Sequence, residues 1–139
     1  PSHRFDPTAA TAVAEAMSHG AIPKDLPFVH REAVEALQVK ESSPEAAAAR
    51  IAKRLTTFYQ ANYPTVWNER RGEVEAAVRA VQGIYARNVF PRMNVTWGTY
   101  PNNVGHVHAP GCFRCHDDTH RSADGQVIGQ DCATCHTVE

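Results

Sequence analysis

The last 28 residues constrain this chain more than the rest of it. All four cysteines fall there, as Cys112-Phe113-Arg114-Cys115-His116 and Cys132-Ala133-Thr134-Cys135-His136. The pattern C-x-x-C-H thus occurs twice, with 20 residues between equivalent positions. Composition shifts ahead of it. Of 21 alanines, 18 precede Pro91, whereas Gly98, Gly105, Gly111, Gly125 and Gly129 all follow it. Residues 1–91 therefore read as a helical bundle region. Residues 92–139 lack apolar periodicity, so something other than a periodic apolar face must organise them.

The doubled motif is the attachment signature of c-type haem. Two thiols three positions apart can both reach the vinyl groups of one porphyrin as thioethers, and the next residue then lies under the iron as an axial ligand. Covalent attachment lets a short loop-rich segment hold a cofactor too large for its own small core. Two such haems are expected, one on Cys112, Cys115 and His116, the other on Cys132, Cys135 and His136. The same cysteine spacing also fits a zinc ribbon, a thioredoxin-like pair or two simple disulfides. A zinc ribbon needs four ligands and leaves the histidine after each pair unexplained.

Two irons call for distal ligands as well. The chain has eight histidines and only two methionines, Met17 and Met93. Bis-histidine ligation is the default, with Met93 as the less expected alternative. His120 follows His116 by four; on a short helix both rings would share one face. His120 would then be unable to reach the far side of its own haem and would serve the one on Cys132 and Cys135. His106, or else His108, would serve the one on Cys112 and Cys115. His3, His19 and His30 are expected on the surface, with no role assigned.

The helical part is punctuated by proline. Asp6-Pro7 and Ser43-Pro44 are helix starts, because the polar residue caps free N–H groups and proline is tolerated in the first turn. The expected helices run from there to Ser18, with Gly20 as the stop, from Pro27 to Val39, and from Pro44 to the Asn62-Tyr63-Pro64 stretch. The longest runs from Pro64 to Pro91, with Trp67, Val74, Val78, Val81 and Tyr85 at helical spacing. Packed together they make a small bundle, so the fold class is mainly α, followed by a loop-rich di-haem segment. In that segment Trp97, Tyr100, Phe113, Val127 and Ile128 would line haem faces or pack as ordinary core. Arg92, Arg114 and Arg121 would pair with propionates or stay solvated.

Charge and length narrow the rest. A formal charge of −1 over 139 residues argues against nucleic-acid binding. No apolar run approaches the ~18–20 residues of a membrane span. The chain begins at Pro1 and shows no secretory signal, as expected of a processed product or an excised piece.

The stretch from Met93 to Asn103, then Gly105-His106, Pro110-Gly111-Cys112-Phe113-Arg114-Cys115-His116-Asp117 and His120, resembles the C-terminal di-haem region of multihaem cytochromes described as NapC/NirT-like. Gln130-Asp131-Cys132 and Cys135-His136 continue the likeness, and Ile22–Pro27 and Arg87–Pro91 are similar to the region before it. In that pattern His106 and His120 are the recurrent extra histidines. The resemblance implies bis-histidine electron transfer outside the cytoplasm. Family members also carry an N-terminal membrane helix and further haem motifs, which these residues do not include, so direct quinol oxidation is not carried over.

The expected function is therefore low-potential electron transfer with redox partner proteins, themselves multihaem cytochromes, at a periplasmic, cell-surface or extracellular location. The surplus histidines raise a further expectation, a homo-oligomer or filament in which a histidine such as His3 ligates a neighbour's haem. The alternatives are a small reductase or peroxidase with a five-coordinate iron, and a zinc-ribbon interaction module.

Overall fold

The computed structural model describes residues 6–99, 111–131 and 133. The chain divides into two compact units, one spanning Asp6–Tyr100 and the other holding the C-terminal segment from Pro101 onward. Among the described residues there are five α-helices, so the protein is mainly helical.

Local chemistry sets the helix starts. Helix α1, Ala9–Ser18, is capped by Thr8, whose hydroxyl accepts the N–H of Thr11 at 3.1 Å. Asp6 was the expected cap, but its backbone N–H instead donates to Asn88 Oδ1 at 2.7 Å. The helix ends at Gly20, which takes the positive φ of 77° that a side chain would resist. Helix α2, Val29–Ala36, begins after Phe28, itself in the left-handed region with φ 56°. Helix α3, Pro44–Asn62, starts as expected, with Ser43 Oγ accepting the N–H of Ala46 at 3.1 Å and proline in the first turn.

The expected longest helix is two. Helix α4 covers Pro64–Glu69 and α5 covers Arg71–Asn88, separated by Arg70 at φ −123° and ψ 28°. The Arg70 guanidinium binds Asp25 Oδ2 and, through Nε, Glu73 Oε1, each at 2.8 Å. Periodicity does not reveal this break, because Val66, Trp67 and Val74 all still face the core on either side of it.

The core lies chiefly between α3 and α5, where Ile51, Leu55 and Tyr59 meet Val74, Val81 and Ile84, all buried. Val13 of α1, Ala33 of α2 and Ile22 and Leu37 beside them close it. Glu32 is buried too, at 4% exposure, although its charge suggests an outward face. It shares the apolar stripe of Val29, Ala33 and Ala36. Arg31 Nε at 2.9 Å and Arg54 Nη2 at 3.0 Å bind its two oxygens, which ties α2 to α3. Burying a carboxylate is tolerated only with such partners. Residues beyond α5 join this unit: Phe90 and Val95 form an antiparallel bridge, and Trp97 Nε1 donates to Leu37 O at 3.2 Å. Trp97 thus packs against the helical core, the second of the two roles open to it from sequence.

Tyr59 is fully buried and donates its hydroxyl to Pro27 O at 2.9 Å. Burial, and secondarily the Glu32 charge, push its phenol from 10.0 up to about 12. The unfolded chain therefore loses this proton first as pH rises. Stability linked to Tyr59 is complete below pH 10 and declines as pH climbs from 10 towards 12. Urea unfolding followed by circular dichroism across that window should show a shallower decline for Tyr59→Phe than for the natural chain; identical slopes would contradict the linkage.

Candidate functional site

The segment around the first C-x-x-C-H is built by turns. Gly111–Arg114 form a 3-10 helix and Cys115 follows directly. Three residues make one 3-10 turn, so Cys112 on this turn and Cys115 just after it are about one backbone turn apart. Gly111 enters at φ 48°, which suits a residue without Cβ. Cys115 and His116 are both half-buried.

After His116 the chain makes a hairpin-like excursion, not the short helix on which the expected placement of His120 rests. Asp117 is the reason. Its Oδ1 accepts the backbone N–H groups of both Thr119 and His120 at 2.9 Å, an Asx turn that competes with helix. Asp118 then takes φ 62°, which a helix forbids. Beyond it, Asp118 N donates to Ile128 O at 3.2 Å and Ile128 N to His120 O at 2.9 Å, while Arg121 and Val127 form an antiparallel bridge. A tight turn closes the tip, with Gly125 at φ 86° and its N–H on Ser122 O at 2.9 Å. The helix-face argument that sent His120 to the haem on Cys132 and Cys135 therefore falls.

Both candidate ligands in this segment have one ring nitrogen occupied. His116 Nδ1 lies 2.9 Å from Gly129 O. A carbonyl can only accept, so Nδ1 carries the hydrogen, and in a neutral ring the lone pair then lies on Nε2. His120 Nδ1 lies 2.9 Å from Asp117 Oδ2, with the same consequence. The N–H of His120, its ring and the N–H of Thr119 together hold the Asp117 carboxyl well below the usual carboxylate range. The other end of the hairpin is tied as well, since Asp118 Oδ1 accepts Gln130 N–H at 3.0 Å. The donor set fits a covalently anchored iron porphyrin: a cysteine beside a histidine whose Nε2 is left free, with the outer nitrogen hydrogen-bonded as metal-bound histidines usually are.

His106, His108, Cys132, Cys135, His136 and His3 lie outside the described residues, as does the side chain of Cys112. His19 and His30 are exposed, as expected. Met93, the alternative ligand, is 40% exposed on the Pro91–Met93 turn of the helical unit. Arg121 is occupied locally, donating to Gly125 O at 3.1 Å. Asp117, Asp118 and Gly129 are the residues that sequence reasoning missed. An aspartate side chain can bond the backbone N–H two residues on, an Asx-turn signal that could have found the first. Gly129 acts through its carbonyl, which no residue type announces. Among the described residues, no helix is long and apolar enough to cross a membrane.

Comparison with known proteins leads to the c-type cytochromes. Over 138 residues, 99% of its length, the chain is 42% identical to the cytochrome c-type protein ImcH of Geobacter sulfurreducens. It spans 27% of that protein's length. No protein-family model matches the chain, and no solved structure matches it. The similarity supports a c-type cytochrome.

Proposed function

We propose that this chain is a di-haem electron-transfer unit of c type, with bis-histidine ligation and extracytoplasmic placement. The observation that carries the reading is the hydrogen bond from His116 Nδ1 to Gly129 O. With Nδ1 so engaged, Nε2 of His116 would serve as the proximal donor, and the bond ties the first motif to the approach of the second. Gly129 is three residues ahead of Cys132, and three residues span at most about 11 Å, so two haems anchored here would be near neighbours. Cys112 and Cys115 would anchor one, with His116 as its axial ligand. Cys132, Cys135 and His136 would serve the other, with His106 and His120 as the distal ligands. A bound haem supplies a one-electron iron couple. Two histidines per iron would fill both axial positions, which would leave no open position for substrate and would favour transfer over catalysis. Two histidines per iron set a low potential relative to histidine–methionine cytochromes.

The NapC/NirT-like character and multihaem redox partners belong to the same reading, as does assembly into a filament. His19 and His30, both on the surface, are available for contacts with a neighbouring chain. Intact mass combined with a redox titration tests the core of the proposal. Two covalent haems per chain and two low-potential, low-spin couples are expected. A haem-free polypeptide, or high-spin iron binding carbon monoxide without ligand displacement, would overturn it. Sedimentation of the same sample showing only monomers at high concentration would remove the filament.

A further inference from the structure

We infer that Asp117 is a positioning residue for the iron ligand His120, fixing the imidazole with Nε2 outward and lowering the potential of the haem it ligates. The inference rests on the reading of His120 as a ligand. It stands on the distinct surroundings of His116 and His120. His116 donates to a neutral backbone carbonyl, whereas His120 donates to a carboxylate. A carboxylate draws the Nδ1 hydrogen more strongly, so the ring gains imidazolate character and becomes a better donor to ferric than to ferrous iron.

The Asx turn engages only one oxygen of Asp117. Oδ2 receives the ring, while Oδ1 receives the N–H groups of Thr119 and His120 at 2.9 Å each. The same side chain therefore shapes the backbone that presents the ring and holds the ring itself. An arrangement that only closed the turn would need Oδ1 alone. Asp118 has a different function: its carboxylate accepts Gln130 N–H, on the far strand of the hairpin. The two adjacent aspartates thus divide the work, one orienting a ligand and the other closing the loop.

The test uses the haem-loaded chain. His120→Gly comes first. Conversion of one haem from low to high spin supports the ligand reading; an unchanged spectrum defeats that reading and this inference with it. Once conversion is seen, Asp117→Asn isolates Asp117. Both haems should stay low-spin, while the ferric-to-ferrous preference of one falls about tenfold, a rise of about 59 mV in its potential. Asp118→Asn removes the same charge one residue on and keeps an oxygen for Gln130, so it should shift that potential less. No shift in Asp117→Asn, or equal shifts in both variants, would overturn the role while leaving His120 a ligand. Should the variant fail to mature, the reduced natural protein decides. The Nδ1 proton of His120 should give a slowly exchanging resonance in the diamagnetic ferrous state, and free exchange with solvent would count against the inference.

Discussion

Replacing Cys112 and Cys115 together by alanine should leave the chain with one covalently attached haem in place of two, halving the covalent haem absorbance per polypeptide after denaturing extraction. The expectation follows from the proposed function, in which each motif would supply its own pair of thioethers and its own axial histidine. His116 would remain, with its Nδ1 on Gly129 O, but a single coordinate bond does not survive denaturation as two thioether bonds do. The experiment also separates the competing chemistry. A zinc ribbon draws its four ligands from both C-x-x-C pairs, so the same double variant would lose all its metal, not half. The matching change at Cys132 and Cys135 should remove the other haem. Loss of both haems from either variant, or of neither, would defeat the assignment of one haem per motif.

The second large effect is on stability. Tyr59→Ala should destabilise the helical unit by about 3–5 kcal/mol, the usual range for truncating a buried aromatic residue. Tyr59 has no exposed surface and sits where α3 meets the stretch before α2. Its ring packs edge-on to Phe58 at 5.2 Å and lies 6.3 Å from Tyr63. Truncation would empty that volume and strip Pro27 O of its donor. Tyr59→Phe keeps the volume and loses only the hydrogen bond, for about 1 kcal/mol. Against a total of roughly 5–15 kcal/mol for an ordinary domain, the first change is severe and the second mild. The urea midpoint of the helical circular dichroism signal measures both. A loss below about 1 kcal/mol for the alanine variant would mean that the site collapses around the gap.

Much of the helical unit was legible because its signals are local. Ser43-Pro44 announces α3 by capping chemistry that needs no tertiary partner, and Gly20 marks the end of α1 through its own backbone freedom. The misses share one physical origin, which is that the deciding partner is distant in sequence. Asp6 binds Asn88, 82 residues on, so Thr8 caps α1. Arg70 binds Asp25, 45 residues back, across the break that divides the expected long helix. Glu32 is buried because Arg54 reaches it from α3.

In the C-terminal segment the division runs differently. Residue types and spacing by themselves determined that two C-x-x-C-H motifs stand in this segment, and the proposed haem anchoring rests on those few adjacent residues. Apolar period and capping likewise determined a mainly helical chain, because both are encoded within each helix. Only the folded structure decided what lies between the motifs. The Asx turn at Asp117 defeats the helix that spacing alone permits, and the positive φ of Asp118 reverses the chain. A backbone carbonyl and a carboxylate then engage Nδ1, not Nε2, of His116 and His120. That arrangement depends on groups brought together by folding, because residue type alone leaves open which ring nitrogen carries the proton and the hydrogen-bond partner sets it.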